Sequence, residues 1–201
     1  MNPTPLISLQ PGDALLVVDL QRDFLPGGAL GVPGGDEVVP VLNHCLALFE
    51  RARLPVVLTR DWHPGDHVSF AAQGGPWPPH CVAGTPGAAF AADLAVPEAA
   101  QVVSKATQSH ADAYSGFEGT ALADSLRQRQ ARRLFIGGLA TDYCVQATVL
   151  DALREGFEVV LLRDAVRAVD VTPGDGERAL GAMQAAGARV ASHSQLGATA
   201  G

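Results

Sequence analysis

The sequence predicts an α/β protein: a doubly wound, mainly parallel sheet of about six strands with helices on both faces. Three observations predict it. Short runs rich in Val and Leu alternate with segments of helical period along the whole chain. The runs are apolar throughout rather than apolar at every second residue, as in strands buried on both faces. Right-handed crossovers leave few topologies for such an alternation, and the doubly wound sheet is the simplest.

Pro3, Pro5 and Pro11-Gly12 make residues 1–12 an extended arm. Residues 14–20, ALLVVDL, read as the first buried strand, with Asp19 breaking its C-terminal end. Residues 21–35 hold five glycines and two prolines and form a loop carrying Phe24. Residues 36–53 form an amphipathic helix capped by Asp36 and ended before Pro55. Residues 55–60 are the second strand. Residues 61–87 lack apolar periodicity, and a loop of that length within a domain is usually functional. Residues 88–100 are weakly helical, broken at Pro97. A short strand at 101–104 leads directly to Lys105, and 106–119 is a further loop containing Tyr114. A helix over 120–130 precedes the strand 132–138. A helix over 142–155, a strand at 157–162, a helix over 174–187 and a short strand at 188–191 complete the pattern. No repeat or linker divides the chain, so residues 1–201 read as one domain.

Composition narrows the function. Hydrophobic residues are 47% and charged residues 17%, which excludes disorder. The net charge is −7 with no run of Lys or Arg, which argues against nucleic acid and anionic membranes as partners. Residues 1–12 do not read as a signal peptide, and no apolar stretch is long enough to span a bilayer. The three cysteines are odd in number and far apart, which fits reduced thiols in the cytoplasm. Every helix has an apolar face, so a homo-oligomer stays open.

The stretch 135–145, FIGGLATDYCV, passes from strand to helix through two glycines and a cysteine. With Thr141 or Asp142 as cap, Cys144 falls in the first helical turn, where unpaired N–H groups and the helix dipole stabilise a thiolate. The alternative is a small buried apolar residue. Asp19, Lys105 and Cys144 each follow a different predicted strand, so a parallel sheet places all three on one edge. Taken singly, Asp19 is a turn anchor or a catalytic group, and Lys105 a solvated strand end or a charge-holding cation. Together they favour catalysis: the Asp takes a proton from the thiol and the Lys holds the charge pattern. The loop after the second strand supplies a second set. Asp61 and His63 point the same way on an extended segment, and His67 and His80 follow. One Asp with two or three His suits a divalent transition metal, with zinc, iron and manganese all acceptable. The alternative is a polar loop with incidental histidines.

VVDLQRDF, TRDWHPGDHVSF, WPPHCVAGTPG, the Lys105 segment with YSGFEG, and GGLATDYCV together resemble the nicotinamidase/pyrazinamidase branch of the isochorismatase-like cysteine hydrolases. The resemblance runs in order from about residue 14 to residue 190. It implies hydrolysis of nicotinamide, and of pyrazinamide, to the acid and ammonia through a thioester, in NAD salvage. It implies Asp19, Lys105 and Cys144 as the catalytic triad. It implies Asp61, His63 and His80 as ligands of one divalent metal, zinc first, with His67 holding a metal-bound water. It implies Phe24 and Trp77 on either side of the pyridine ring, and Tyr114, Leu139 and Ala140 in the pocket. A cis peptide between Leu139 and Ala140 would turn one N–H inward, so that the backbone of Ala140 and Cys144 forms the oxyanion hole. Tyr143 stands where some relatives have His. Two rival readings remain. A related amide hydrolase for a carbamoyl or ureido compound would keep the triad without needing the metal loop. A non-catalytic metal- or ligand-binding relative would keep the fold alone.

Overall fold

The computed structural model describes residues 6–197. Among the described residues, eight strands and four α-helices follow one another as β1 (Ile7–Ser8), β2 (Asp13–Val18), α1 (Val38–Arg51), β3 (Val56–Asp61), β4 (Gln101–Lys105), α2 (Leu122–Gln128), β5 (Arg133–Leu139), α3 (Gln146–Arg154), β6 (Glu158–Arg167), α4 (Asp175–Ala185), β7 (Arg189–Ala191) and β8 (Leu196–Gly197). Six strands form one sheet in the order β4-β3-β2-β5-β6-β7, and every pairing is parallel. The short β1 and β8 pair with each other, so the predicted arm contains a two-residue strand; its residues 1–5 lie outside the described residues.

Strands β2 and β5 are apolar and buried almost throughout because both faces of the sheet are covered. On one face α1 buries Val38, Leu42, Cys45, Leu46 and Phe49, spaced three and four apart. Phe49 meets Phe135 of β5 edge-on at 5.4 Å. On the other face α2, α3 and α4 pack Leu126, Val149 and Met183 against Leu16, Leu134 and Ile136. At the N-terminal ends of the central strands, Asp13 and Arg133 are register partners, and the Arg133 guanidinium donates to both carboxylate oxygens of Asp13 at 2.8 and 2.7 Å. That clamp leaves the opposite ends of β2 and β5, where the order of strands reverses, to shape a crevice.

Three local expectations are corrected. Residues 88–100 form no helix beyond a single 3₁₀ turn at Pro86–Ala88. The segment is instead tied across the sheet edge: Ala91 donates to the Leu20 carbonyl, and Asn43 of α1 brackets Asp93 and Ala95 with its carboxamide. Asp36 does not cap α1; it lies in the 3₁₀ turn Gly35–Glu37 that leads into the helix. Neither Thr141 nor Asp142 caps the helix behind Cys144, as described below.

Candidate active site

Four chain segments bring reactive groups to the C-terminal edge of the sheet. β2 ends at Val18, and Asp19 turns out of it in the left-handed region at φ 45°. Next to it, Gly138 of β5 has φ 128°, and a Cβ there would lie 2.0 Å from the Val18 carbonyl oxygen. Only glycine allows that approach. Lys105 is the last residue of β4, and Cys144 sits in the turn after β5. Asp19, Lys105 and Cys144 are 0%, 1% and 6% exposed. Lys105 Nζ lies 3.0 Å from Asp19 Oδ2 and 3.5 Å from Cys144 Sγ. Thr59 Oγ1 donates to Asp19 Oδ1 at 2.7 Å. The three strand-end residues singled out in the sequence are thus one contiguous group.

Burial and charge set their protonation. Burial raises the Asp19 carboxyl, Asp61 raises it further, and Lys105 and Thr59 oppose. Burial works against the Lys105 ammonium, but Asp19 and Asp61 outweigh it and hold its pKa well above the usual lysine value. The Cys144 thiol is raised by burial and by both carboxylates, with Lys105 in opposition. At rest the site therefore holds a charged lysine and a protonated thiol beside a carboxyl whose affinity for a proton is raised.

The turn that carries Cys144 is a π-type turn over Thr141–Val145 rather than the first turn of an ordinary α-helix. The Leu139–Ala140 peptide before it is cis, in agreement with the resemblance. Tyr143 and Val145 both donate their N–H to the Ala140 carbonyl. The Asp142 carboxylate is spent elsewhere: it accepts the N–H groups of Val169 and Asp170 at 3.0 and 2.9 Å, fixing the loop after β6 to this turn.

Asp61, His63 and His80 are buried and present ligand atoms within 4.8 Å of one another. The Ala106 and Pro78 carbonyls lie 3.2 and 2.8 Å from His63 Nδ1 and His80 Nδ1, and these contacts orient the rings. His63 Nε2 is buried with no hydrogen-bond partner. An orphaned imidazole nitrogen beside a carboxylate and a second imidazole is what a metal ion would satisfy, so the residues present fit one. Asp61 also links this group to the other: its Oδ1 lies 2.5 Å from Lys105 Nζ. Burial would raise the Asp61 carboxyl, but Lys105 and His63 hold it well below the usual carboxylate range. His67 stands apart from the ligand group. Its ring lies against His63 at 4.2 Å, and its two nitrogens pair with Ser69 Oγ and the Ala111 carbonyl. The water-holding position expected of it is therefore taken up by protein groups.

Cys144, Asp61 and His80 open onto a cavity of about 320 Å³ walled by Phe24, Trp77, Tyr114, Ala140 and Tyr143. Trp77 Nε1 donates to the Tyr114 hydroxyl at 3.1 Å, and Trp77 meets Tyr143 edge-on at 5.5 Å. A cavity of this size suits a single aromatic ring with a small substituent. Leu139, expected in this wall, is instead fully buried and packs its side chain toward Gly35. The walls formed by Leu30, Val32 and Val169 were not anticipated. Their signal was position: Val169 follows β6 at the same sheet edge as Asp19, Lys105 and Cys144.

A family model, the isochorismatase domain, matches residues 13–195. The chain belongs to the isochorismatase family. This family member is 40% identical over 199 residues to the nicotinamidase of Escherichia coli strain K12, covering 89% of this chain and 93% of that one. Among solved structures it resembles the pyrazinamidase of Pyrococcus horikoshii in complex with zinc, at 53% identity and a TM-score of 0.87, over 90% of this chain and 99% of that one. It also resembles PnC1 from L. infantum in complex with nicotinate, at 38% identity and a TM-score of 0.89, over 96% and 99% of the two chains. The six-stranded parallel sheet of this isochorismatase-family chain is the fold expected from its sequence.

Proposed function

We propose that this chain hydrolyses nicotinamide, and its ring analogue pyrazinamide, to the carboxylic acid and ammonia, in NAD salvage in the cytoplasm. The observation that carries the reading is the shared position of Lys105, 3.5 Å from the Cys144 thiol and 2.5 Å from Asp61 of the metal-binding group. A thiol nucleophile and a ring-anchoring group thereby face one aromatic cavity. The relatives named nicotinamidase and pyrazinamidase, one crystallised with zinc and one with nicotinate, support it.

Asp61, His63 and His80 would hold one divalent metal, zinc first; bound there, it supplies a Lewis-acidic anchor for the pyridine nitrogen. Phe24 and Trp77 flank the ring and set the carboxamide carbon before Cys144. Asp19 takes the thiol proton while Lys105 stabilises the resulting charges. The sulfur attacks the amide carbon, forming a C–S bond. The Ala140 and Cys144 N–H groups receive the oxyanion; one such donor is generally worth about 10²–10³ in rate. Protonated Asp19 gives its proton to the departing nitrogen, and ammonia leaves a thioester on Cys144. Asp19 then takes a proton from water, whose oxygen attacks the thioester, and the acid is released as the thiol reforms.

The test is ammonia release from nicotinamide by purified protein, before chelation, after it, and with zinc restored. Loss on chelation and recovery with zinc is the expected result. Activity indifferent to metal would overturn the ring-anchoring role and favour a carbamoyl or ureido substrate. No ammonia from zinc-loaded protein would overturn the reaction itself.

A further inference from the structure

The segment between Asp19 and Phe24 carries three polar side chains that the proposed chemistry does not use, Gln21, Arg22 and Asp23, and two of them turn inward onto the metal-binding loop. Gln21 is fully buried and its carboxamide is saturated. Its Oε1 accepts the Asp61 N–H at 2.7 Å, and its Nε2 donates to the Asp61 carbonyl at 2.8 Å and to the Ala88 carbonyl at 2.9 Å. The side chain thus reads both edges of one peptide residue, as a neighbouring strand would. Asp23 acts at the other end of the same loop. Its Oδ2 accepts the Cys81 N–H, the residue directly after His80, at 2.7 Å. Cys81 is held in the left-handed region at φ 45°, so its N–H direction is set by a backbone turn that non-glycine residues rarely adopt. Gly87 closes over the same carboxylate so tightly that a Cβ there would lie 2.2 Å from Asp23 Oδ2.

Asp61 opens and His80 closes the loop that delivers all three metal-binding side chains. Gln21 grips the first end and Asp23 the second, and both sit within four residues of Asp19 on the exit from β2. We propose that Gln21 and Asp23 are positioning residues that hold Asp61 and His80 at metal-binding separation, and fix the metal relative to the catalytic base. The inference rests on the metal reading above. A ligand that must be gathered by folding binds with the cost of that gathering; a brace already in place removes it.

The experiment measures zinc affinity directly, by competition with a chromophoric chelator, on chelator-stripped protein and its variants. Thermal melting of the zinc-free forms is recorded alongside. Gln21→Met and Asp23→Ala should each weaken zinc binding about 10–100-fold. Asp23→Asn, which keeps a carbonyl oxygen for the Cys81 N–H, should recover most of the affinity. Asn43→Ala serves as the structural control, because Asn43 braces a different loop from α1. It should lower the melting temperature and leave zinc affinity unchanged. Native affinity in folded Asp23→Ala and Gln21→Met would overturn the brace alone. Should Gln21→Met fail to fold, the two Asp23 variants decide the matter. No zinc binding by the native chain would overturn the metal reading and the brace with it.

Discussion

Asp61 and Lys105 are partners twice: they are register partners in the β3–β4 pair, and their side chains meet at 2.5 Å. The same ammonium reaches Asp19 at 3.0 Å, so one lysine pairs with two buried carboxyl groups from neighbouring strands. Lys105→Met should abolish turnover and cost about 3–5 kcal/mol of stability, because breaking a buried pair leaves charge uncompensated. The sign with pH follows from the direction of each shift. Lys105 is raised above 10.5, so its contribution is complete below that value and is lost only as pH rises through the higher folded pKa. In the variant the two carboxylates lose their cation and are pushed up, so its deficit shrinks as pH falls and one of them takes a proton. Urea unfolding of both proteins at neutral and acid pH checks this. A deficit that grows on acidification would contradict it.

Thr59 offers a finer test of Asp19 as base. Its hydroxyl donates to the carboxylate and lowers the pKa that burial raises. Asp19 must be ionised to accept the thiol proton, so the acid limb of kcat/KM should lie above 3.8, the ordinary aspartate value. Thr59→Val removes the donor. The limb should then move to higher pH, because the hydroxyl that favours the charged carboxylate is gone. An unmoved or lowered limb in a folded variant would remove Asp19 from the base role.

The grouping of Asp19, Lys105 and Cys144 was legible because each lies at or just beyond the C-terminal end of a strand, and a parallel sheet needs only the alternation of strands and helices to place those ends together. Asp61, His63 and His80 were legible as a clustered Asp–His set. What could not be read was anything depending on contact across the sheet. Residues 88–100 are alanine-rich and favour helix locally, yet hydrogen bonds to Leu20 and Asn43 hold them in an irregular run of turns. Asp142 had the spacing of a cap and instead binds a loop 27 residues away in sequence. Leu139 adjoins the turn that carries Cys144, but its side chain points to the α1 side of the sheet, as β-strand alternation requires once register is known.

Cys144→Ala separates chemistry from metal binding. Cys144 Sγ approaches Asp19 and Asp61 but is not part of the Asp61–His63–His80 group. Loss of the thiol should reduce turnover on the order of 10⁴-fold or more, as for other nucleophile deletions. Zinc content per chain, measured by atomic emission, should stay as in the native protein. Native-like turnover would remove the thioester from the scheme.

His67 and His80 carry opposite expectations although both are buried histidines of one loop. His80 presents a ligand atom to the group, and burial lowers its pKa, which keeps the ring neutral and able to bind a cation. His80→Ala should abolish stoichiometric zinc binding. His67 has both nitrogens engaged by Ser69 and Ala111 and packs its ring on His63. His67→Phe keeps the stacking and loses the two hydrogen bonds, for a cost of about 1–3 kcal/mol. Its zinc stoichiometry should remain native while its melting temperature falls. If His67→Phe loses zinc as completely as His80→Ala does, then His67 turns its ring to the metal on binding, and the ligand set has four members instead of three.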